Sequence, residues 1–290
     1  MKAETKHHLL LHLVVLIFGF TGILGKLITI DSIPLVFWRT TLGGLVILVW
    51  LVLRGRLAKM NGRDLLKIAG VGLIVGMHWI LFFESIKVST VSVALVMFAT
   101  TPMFVGIIEP IIFRRKLDWK ELVISLMVIA GVGTIFNMDT GYTLGMILGL
   151  VSALMAALFS TLNGAFVKKH SPSNISMVEL LSASIGIAIL LSITGGMNAD
   201  LFTMSSNNWI YIGLLAVVAT SFAFIASTAV MKHLTPFTTA IVINLEPIYS
   251  IVLAVLIFGQ EEVMGWEFYF GGSLIIVAVV ANTLMKKMLK

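Results

Sequence analysis

Residues 235–260 read TPFTTAIVINLEPIYSIVLAVLIFGQ, a run in which Glu246 is the one charged side chain. A helix rises 1.5 Å per residue and the hydrocarbon core of a bilayer is about 30 Å thick, so about 20 apolar residues cross it. The run is long enough to cross. Its continuous apolarity also excludes a transmembrane β-barrel, whose strands alternate apolar and polar residues over about ten positions. Working outward, charges and Gly, Pro, Asn or Asp divide the rest of the chain into nine similar runs. The predicted spans are 8–27, 33–53, 65–86, 90–112, 119–137, 142–166, 176–195, 208–230, 235–257 and 264–285.

Composition demands the same class. Of the 290 residues 59% are hydrophobic and 12% charged, with a mean hydropathy of +1.06, against about 25% charged in soluble domains. A chain this apolar needs lipid around it, which excludes a cytosolic enzyme, a nucleic-acid binder and a secreted domain. The expected fold class is all-α polytopic membrane protein, with the bilayer itself as a partner. A net charge of +6 and a pI of about 9.6 do not indicate nucleic acid, because the cations lie between the apolar runs, where they set topology. The absence of cysteine excludes disulfides, thiolate metal sites and a cysteine nucleophile. No metal or cofactor is expected.

The first run follows Lys2, Lys6, His7 and His8. It is longer than the roughly 7–15 apolar residues of a cleavable signal and lacks an A-x-A site, so it reads as an uncleaved first helix. With the N-terminus placed inside, all of the 20 Lys and Arg except Lys26, Arg39 and Lys87 fall on the inner side, while Asp31, Asp139, Asp200, Glu261 and Glu262 fall outside. By the positive-inside rule both termini are expected in the cytoplasm and the protein in the plasma (inner) membrane.

The opening stretch has a weak copy. Shifted by 145, Lys87 matches Lys232, Thr90 Thr235, Pro102 Pro247, Ile112 Ile257 and Phe113 Phe258; shifted by 142, Gly22 matches Gly164 and Lys26 Lys168. Repeats of five spans, residues 1–138 and 139–290, must insert in opposite orientations because five is odd. Inverted repeats are a common architecture of secondary transporters, with the substrate near the midplane.

These residues resemble the EamA family of the drug/metabolite transporter superfamily. The resemblance rests on Phe37-Trp38-Arg39 opening the second span, on the Ser85–Thr90 junction, and on Leu245-Glu246-Pro247 followed by Phe258-Gly259-Gln260-Glu261. It departs from the family pattern at Thr100-Thr101-Pro102, where Ser-Pro is commoner, and at Arg114-Arg115-Lys116, in place of Gly-Glu. It implies ten helices and an exporter of amino acids or other small metabolites, without naming a cargo.

Ionisable groups within the membrane are costly and therefore mark function or pairing. Glu246 lies about 16 Å from either end of its span, beside Asn244 and Pro247. It either contacts cargo or a proton, or forms a structural ion pair with Arg39. In the third span His78, Phe82 and Ser85 share a face. His78 either relays protons or bonds a substrate, or packs against a neighbouring carbonyl. Trp79, matched to Phe224 by the 145 shift, either lines the pathway or belongs to an aromatic belt. Thr100, Thr101, Asn163, Thr220 and Ser221 are small polar groups at similar depth, open to interhelical bonding or to cargo. Glu109, near Arg114 and Arg115, and Glu179 read as snorkelling interfacial acids. Gly19/Gly22 and Gly145/Gly149 read as close helix contacts.

A membrane-embedded enzyme would need a zinc helix or a nucleophile with its base, and neither occurs; no Walker motif supports ATP-driven pumping. A secondary transporter of a small molecule, working by alternating access, is the expected class, with a passive channel as its rival. Topology is testable at once, because the chain has no cysteine to confound labelling. Asp139→Cys and Asp200→Cys should react with an impermeant thiol reagent in intact cells, and Met60→Cys should not. The reverse pattern would overturn the ten-span topology.

Overall fold

The computed structural model describes residues 3–116, 119–136 and 141–288; the outer position predicted for Asp139 and both chain ends lie outside these. All regular structure among the described residues is helical. The first repeat comprises α1 (Ala3–Leu27), α2 (Ser32–Leu53), α3 (Gly62–Val88), a broken fourth span of α4 (Val91–Phe98) and α5 (Thr101–Phe113), and α6 (Trp119–Phe136). The second comprises α7 (Thr143–Phe166) and α8 (Pro172–Thr194), then an eighth span made of α9 (Ser206–Leu214), a π-helical stretch Leu215–Phe222 and α10 (Ala223–Val230). A broken ninth span of α11 (Pro236–Ile243) and α12 (Glu246–Phe258) and the tenth, α13 (Trp266–Met288), complete it. Eight spans are long and apolar enough to cross a bilayer; α6 and α13 carry shorter apolar stretches, Leu126–Ile135 and Trp266–Ala278. Exposed residues such as Leu53, Ile111, Ile193 and Leu256 face outward along the spans, as lipid contact requires and water would not tolerate.

Two of the ten predicted helices are therefore broken, and each break has a cause in the sequence. Pro102 and Pro247 have no amide proton for the carbonyls of Phe98 and Ile243, one turn earlier. The backbone responds in the same way at both places. Ala99 and Thr100 adopt φ/ψ of −60/−10 and −77/−8°, while Asn244 and Leu245 adopt −67/1 and −80/−14°. The hydrogen bonds also coincide: Ala99 N to Leu95 O, Thr100 N to Met97 O and Met103 N to Thr100 O recur 145 residues later as Asn244 to Ala240, Leu245 to Val242 and Ile248 to Leu245.

Other contacts obey the same shifts. Thr90 and Thr235 each cap the following helix, accepting from Val93 N and Thr238 N. Lys26 lies over the Phe258 ring, 4.5 Å from its centroid, and Lys168 over the Phe113 ring at 4.8 Å. Gly22 faces Val91 as Gly164 faces Pro236. The helix neighbours are likewise unchanged when the repeats are exchanged. α3 meets α7 as α1 meets α10, α4 meets α12 as α5 meets α11, and α2 on α8 and α6 on α13 are pairs of equivalent spans. This is an inverted repeat, and the two broken spans run antiparallel at its centre.

Several close approaches between helices depend on glycine. Gly145 and Gly149 admit Ser89 and Met97 of the first repeat, and a Cβ on Gly131 or Gly271 would stand 2.7 or 2.6 Å from the other's carbonyl oxygen. At the seam between α3 and α8, a Cβ on Gly72 would lie 2.6 Å from Glu179 Cα. Glu179 itself corrects the sequence reading. α8 begins at Pro172, so the residue sits two turns inside the helix and is fully buried rather than snorkelling.

Buried carboxylates close the ends of the broken spans. Glu262, wholly buried, accepts from Val91 N at 3.1 Å, Ser92 N at 2.9 Å and Ser92 Oγ at 2.8 Å, and pairs with Lys26 at 2.9 Å. At the opposite end Glu109 accepts from Phe237 N at 3.0 Å and lies 3.7 Å from Arg115 Nε. It is thus a helix cap as well as the partner of a basic residue, not an interfacial acid facing lipid headgroups. Ser92 and Phe237 are again 145 residues apart. Replacing Glu262 with Ala strands two helix-terminal amides and should cost about 2 kcal/mol, read as a lower melting temperature in detergent. Glu261→Ala, at an exposed position in contact with the same lysine, should change stability by less than about 0.5 kcal/mol.

Candidate transport cavity

The bundle has two faces of unlike charge. The basic face carries Arg54, Arg56 and Lys59 between α2 and α3, Arg63 in the first turn of α3, Lys168 and Lys169 after α7, and Lys232 after α10; the acidic face carries Asp31, Asp200, Glu261 and Glu262. Of the three cations on the acidic side of the midplane, Lys26 is paired with Glu261 and Glu262, and Lys87 donates to the Ile28 carbonyl at 3.0 Å. The third is Arg39.

A cavity of about 90 Å³ opens in the middle of the bundle, room for roughly six waters or a small solute. It reaches from Arg39 and Phe82, on the acidic side of the midplane, to Ser227, Met231 and Thr239 toward the basic face. Its walls there are the C-terminal half of α7 at Ala156 and Ser160, the end of α10 at Ser227, and α11 at Thr239 and Ile243. Toward the acidic face the spans close on Ile23, Phe83, Ile86, Val91 and Leu95. Polar ties hold that closure: Ser32 Oγ donates to Glu84, Thr29 N donates to Asn208 Oδ1 at 3.1 Å, and Trp38 Nε1 donates to Leu201 O at 2.8 Å.

Phe18, Trp79, Phe82, Phe98, Phe159 and Phe224 give the lining its aromatic part. Trp79 and Phe224, the positions matched by the 145 shift, touch each other with ring centroids 5.6 Å apart. His78 stands among Phe82, Phe98 and Phe159 at 5.4–6.3 Å. Its Nδ1 lies 3.0 Å from the Ser152 carbonyl oxygen. Ser152 Oγ lies 2.9 Å from the same nitrogen, so both contacts fall on Nδ1 and Nε2 is the ring atom left for another partner.

The charged pair at the centre departs from a salt bridge. Arg39 and Glu246 both line the cavity, yet they make no ion pair among the described residues. Arg39 is buried with its guanidinium 4.1 Å from the centroid of Trp79, and its Nε donates to Thr220 Oγ1 at 2.6 Å. Among the described residues one guanidinium nitrogen, NH1, has no partner, and neither has Asn244 Nδ2. The break supplies a further acceptor. In the first repeat Thr101 Oγ1 donates at 2.7 Å to the Phe98 carbonyl that Pro102 leaves free; in the second, Glu246 stands at the matching position beside the freed carbonyl of Ile243, another lining residue.

Of the residues singled out in the sequence, His78, Trp79, Phe82, Thr101, Phe224, Asn244, Glu246 and Arg39 line this cavity. Asn163 and Ser221 do not. Asn163 Nδ2 donates to Glu179 at 3.2 Å, and Ser221 Oγ lies within bonding distance of the Gly43 and Ala216 carbonyls, joining α2 to the π-helical stretch. Ser85 turns away to the Gly145 carbonyl. The sequence reading missed Thr21, Phe98, Phe159, Ser227 and Thr239. The repeat held a signal for two of them: shifted by 145, Phe82 gives Ser227 and Phe98 gives Ile243, all lining residues.

The chain matches the EamA-like transporter family twice, over residues 5–137 and 143–284. It is 26% identical over 281 residues to an uncharacterized transporter, YxxF, of Bacillus subtilis (strain 168), covering 93% of this chain and 87% of that one. A solved crystal structure superposes with a TM-score of 0.71 at 15% identity, covering 97% of this chain and 98% of the other, and so shares its fold. Together these findings point to a transporter rather than an enzyme. The chain belongs to the EamA-like transporter family and is a multi-pass membrane transporter of the drug/metabolite transporter type.

Proposed function

We propose that the protein is a secondary transporter that exports a small zwitterionic metabolite, such as an amino acid, from the cytoplasm across the plasma membrane by alternating access. One observation carries the cargo class: Arg39 and Glu246 bring a guanidinium and a carboxyl group to one aromatic-walled cavity without an ion pair between them. Two unpaired buried charges of opposite sign are costly unless something bridges them. A carboxylate placed against Arg39 NH1 and Asn244 Nδ2, with an ammonium against Glu246 and the Ile243 carbonyl, satisfies both ends of a zwitterion. Phe82, Phe98 and Phe159 would receive an apolar side chain.

Direction and mechanism rest on shape and charge. The basic face is cytoplasmic by the positive-inside rule, so this cavity is loaded from the cytoplasm while the acidic face is shut. Exchanging the conformations of the two repeats would open the opposite side. A continuous channel would lack the apolar closure at Phe83, Ile86 and Leu95.

Counterflow in proteoliposomes against a panel of amino acids tests the cargo class. Within it, Glu246→Gln and Arg39→Gln should each lower transport by about 30-fold or more, the effect of removing one partner of a buried charge contact at about 2–5 kcal/mol. With no ion pair to break, Glu246→Gln should leave the melting temperature nearly unchanged. Full transport in Glu246→Gln would overturn this role. A melting temperature lost in the single variant and regained in Arg39→Gln/Glu246→Gln would restore the structural-pair reading. Access gives a separate check: Ser160→Cys and Thr239→Cys should react with a thiol reagent supplied from the basic face and be protected by saturating cargo. Simultaneous reactivity from both faces would mean a channel.

A further inference from the structure

The eight buried side-chain polar atoms that lack a partner among the described residues fall into two groups. Four, on Thr21, Arg39, Thr239 and Asn244, belong to residues that line the cavity. The other four, on Asn163, Ser176, Glu179 and Thr228, belong to residues of α7, α8 and α10 that do not line it. A well-packed interior pairs its polar atoms, and a cluster of exceptions calls for an explanation.

Glu179 is the titratable member. Asn163 Nδ2 donates to its Oε2 at 3.2 Å. That bond leaves one oxygen of each side chain, Glu179 Oε1 and Asn163 Oδ1, buried and unpartnered. With the carboxyl ionised both are acceptors, so neither can pair with the other. A single proton serves both. Carried on Oε1, it would give Oδ1 a donor and complete a two-bond carboxylic acid–amide ring with the bond already present.

No cation takes that place, since Glu179 makes no ion pair among the described residues. The charged and titratable groups on the helices around it are engaged or turned away. On α2, Arg39 is held by Thr220 and Trp79. On α3, His78 is bonded to Ser152, Asp64 to His170, Glu84 to Ser32 and Lys87 to Ile28, while Arg63 and Lys67 are exposed. Neither α7 nor α10 contains a charged residue.

Position gives the site its leverage. Glu179 belongs to the second repeat, and α3 of the first repeat approaches its backbone so closely that only glycine fits at position 72. Met231, which lines the cavity, packs in the same cluster as Val178, the neighbour of Glu179. Relative motion of the repeats must pass through this seam.

We propose that Glu179 and Asn163 form a proton-binding site, separate from the cargo cavity, through which a proton gradient drives the transporter. Loading the proton completes the acid–amide ring and lets the α3–α8 seam close. Releasing it leaves a carboxylate with an unpartnered oxygen, which favours opening the seam to water. The coupling half of the proposal rests on the secondary-transporter reading above; the proton site itself does not.

Infrared difference spectroscopy of the purified protein in lipid, titrated with pH in a Glu246→Gln background, reads the site directly. A band from a hydrogen-bonded carboxylic acid should titrate in the parent, disappear in Glu179→Gln, and shift in Asn163→Leu, where the acid loses its acceptor. Identical titrating bands in the parent and Glu179→Gln would overturn the site. Should Glu179→Gln fail to fold, an unshifted band in Asn163→Leu would do the same. Coupling is read with otherwise wild-type protein in proteoliposomes, as uptake of a radiolabelled amino-acid mixture with and without an imposed pH gradient. The gradient should stimulate uptake severalfold and should lose that effect in Glu179→Gln; stimulation retained there would overturn the coupling. If the wild type takes up no amino acid, the cargo class proposed above fails, and the infrared titration still decides the proton site.

Discussion

In hydrocarbon a backbone amide or carbonyl without a partner has no water to turn to, and this constraint shapes the molecule. Two spans are broken at their centres by proline, where a cavity lies beside them. Each break is kept to two residues, and its amides are returned to carbonyls three or four positions back. The distant ends of the same spans are capped by carboxylates borrowed from the other repeat, Glu262 on α4 and Glu109 on α11. A short helix of eight residues has little stability of its own. α4 and α11 persist because both of their ends are satisfied.

The fold was largely legible in the residues because lipid makes a simple demand. Length and apolarity marked the ten spans, and the scarcity of cations on one side ordered them. Matches that are individually cheap in so biased a composition, such as Lys26 with Lys168 and Phe113 with Phe258, turn out to be partners in equivalent contacts. What the pattern of apolarity could not show is where a span is interrupted. A proline within an apolar run permits a kink, but a kinked helix and two helices have the same hydropathy.

The candidate site was legible in part. Depth pointed to Glu246, His78 and Arg39, since a charge near the midplane must be accounted for. Depth also misled, because it is counted from a helix end that pattern reading places poorly. Glu179 looked interfacial while its helix was taken to start at 176, and became a buried acid once Ser171 and Pro172 proved to be the N-cap and first residue. Asn163 and Ser221 had the right depth but the wrong azimuth. Which way a polar side chain faces depends on neighbours from the other repeat, and no local pattern encodes them.

Trp79 and Phe224 occupy equivalent positions in the two repeats and are also in contact with each other. A contact between equivalent positions lies on the axis that relates the repeats. Exchanging the conformations of the repeats therefore maps this contact onto itself, whereas an off-axis contact such as Lys26 on Phe258 is carried onto a different pair. In the alternating access proposed above the two rings would be the fulcrum. A solute would then rest on the same floor whichever face opened, and the asymmetry it met would come from the unlike residues around that floor: a threonine at 101 where the other repeat has a glutamate at 246.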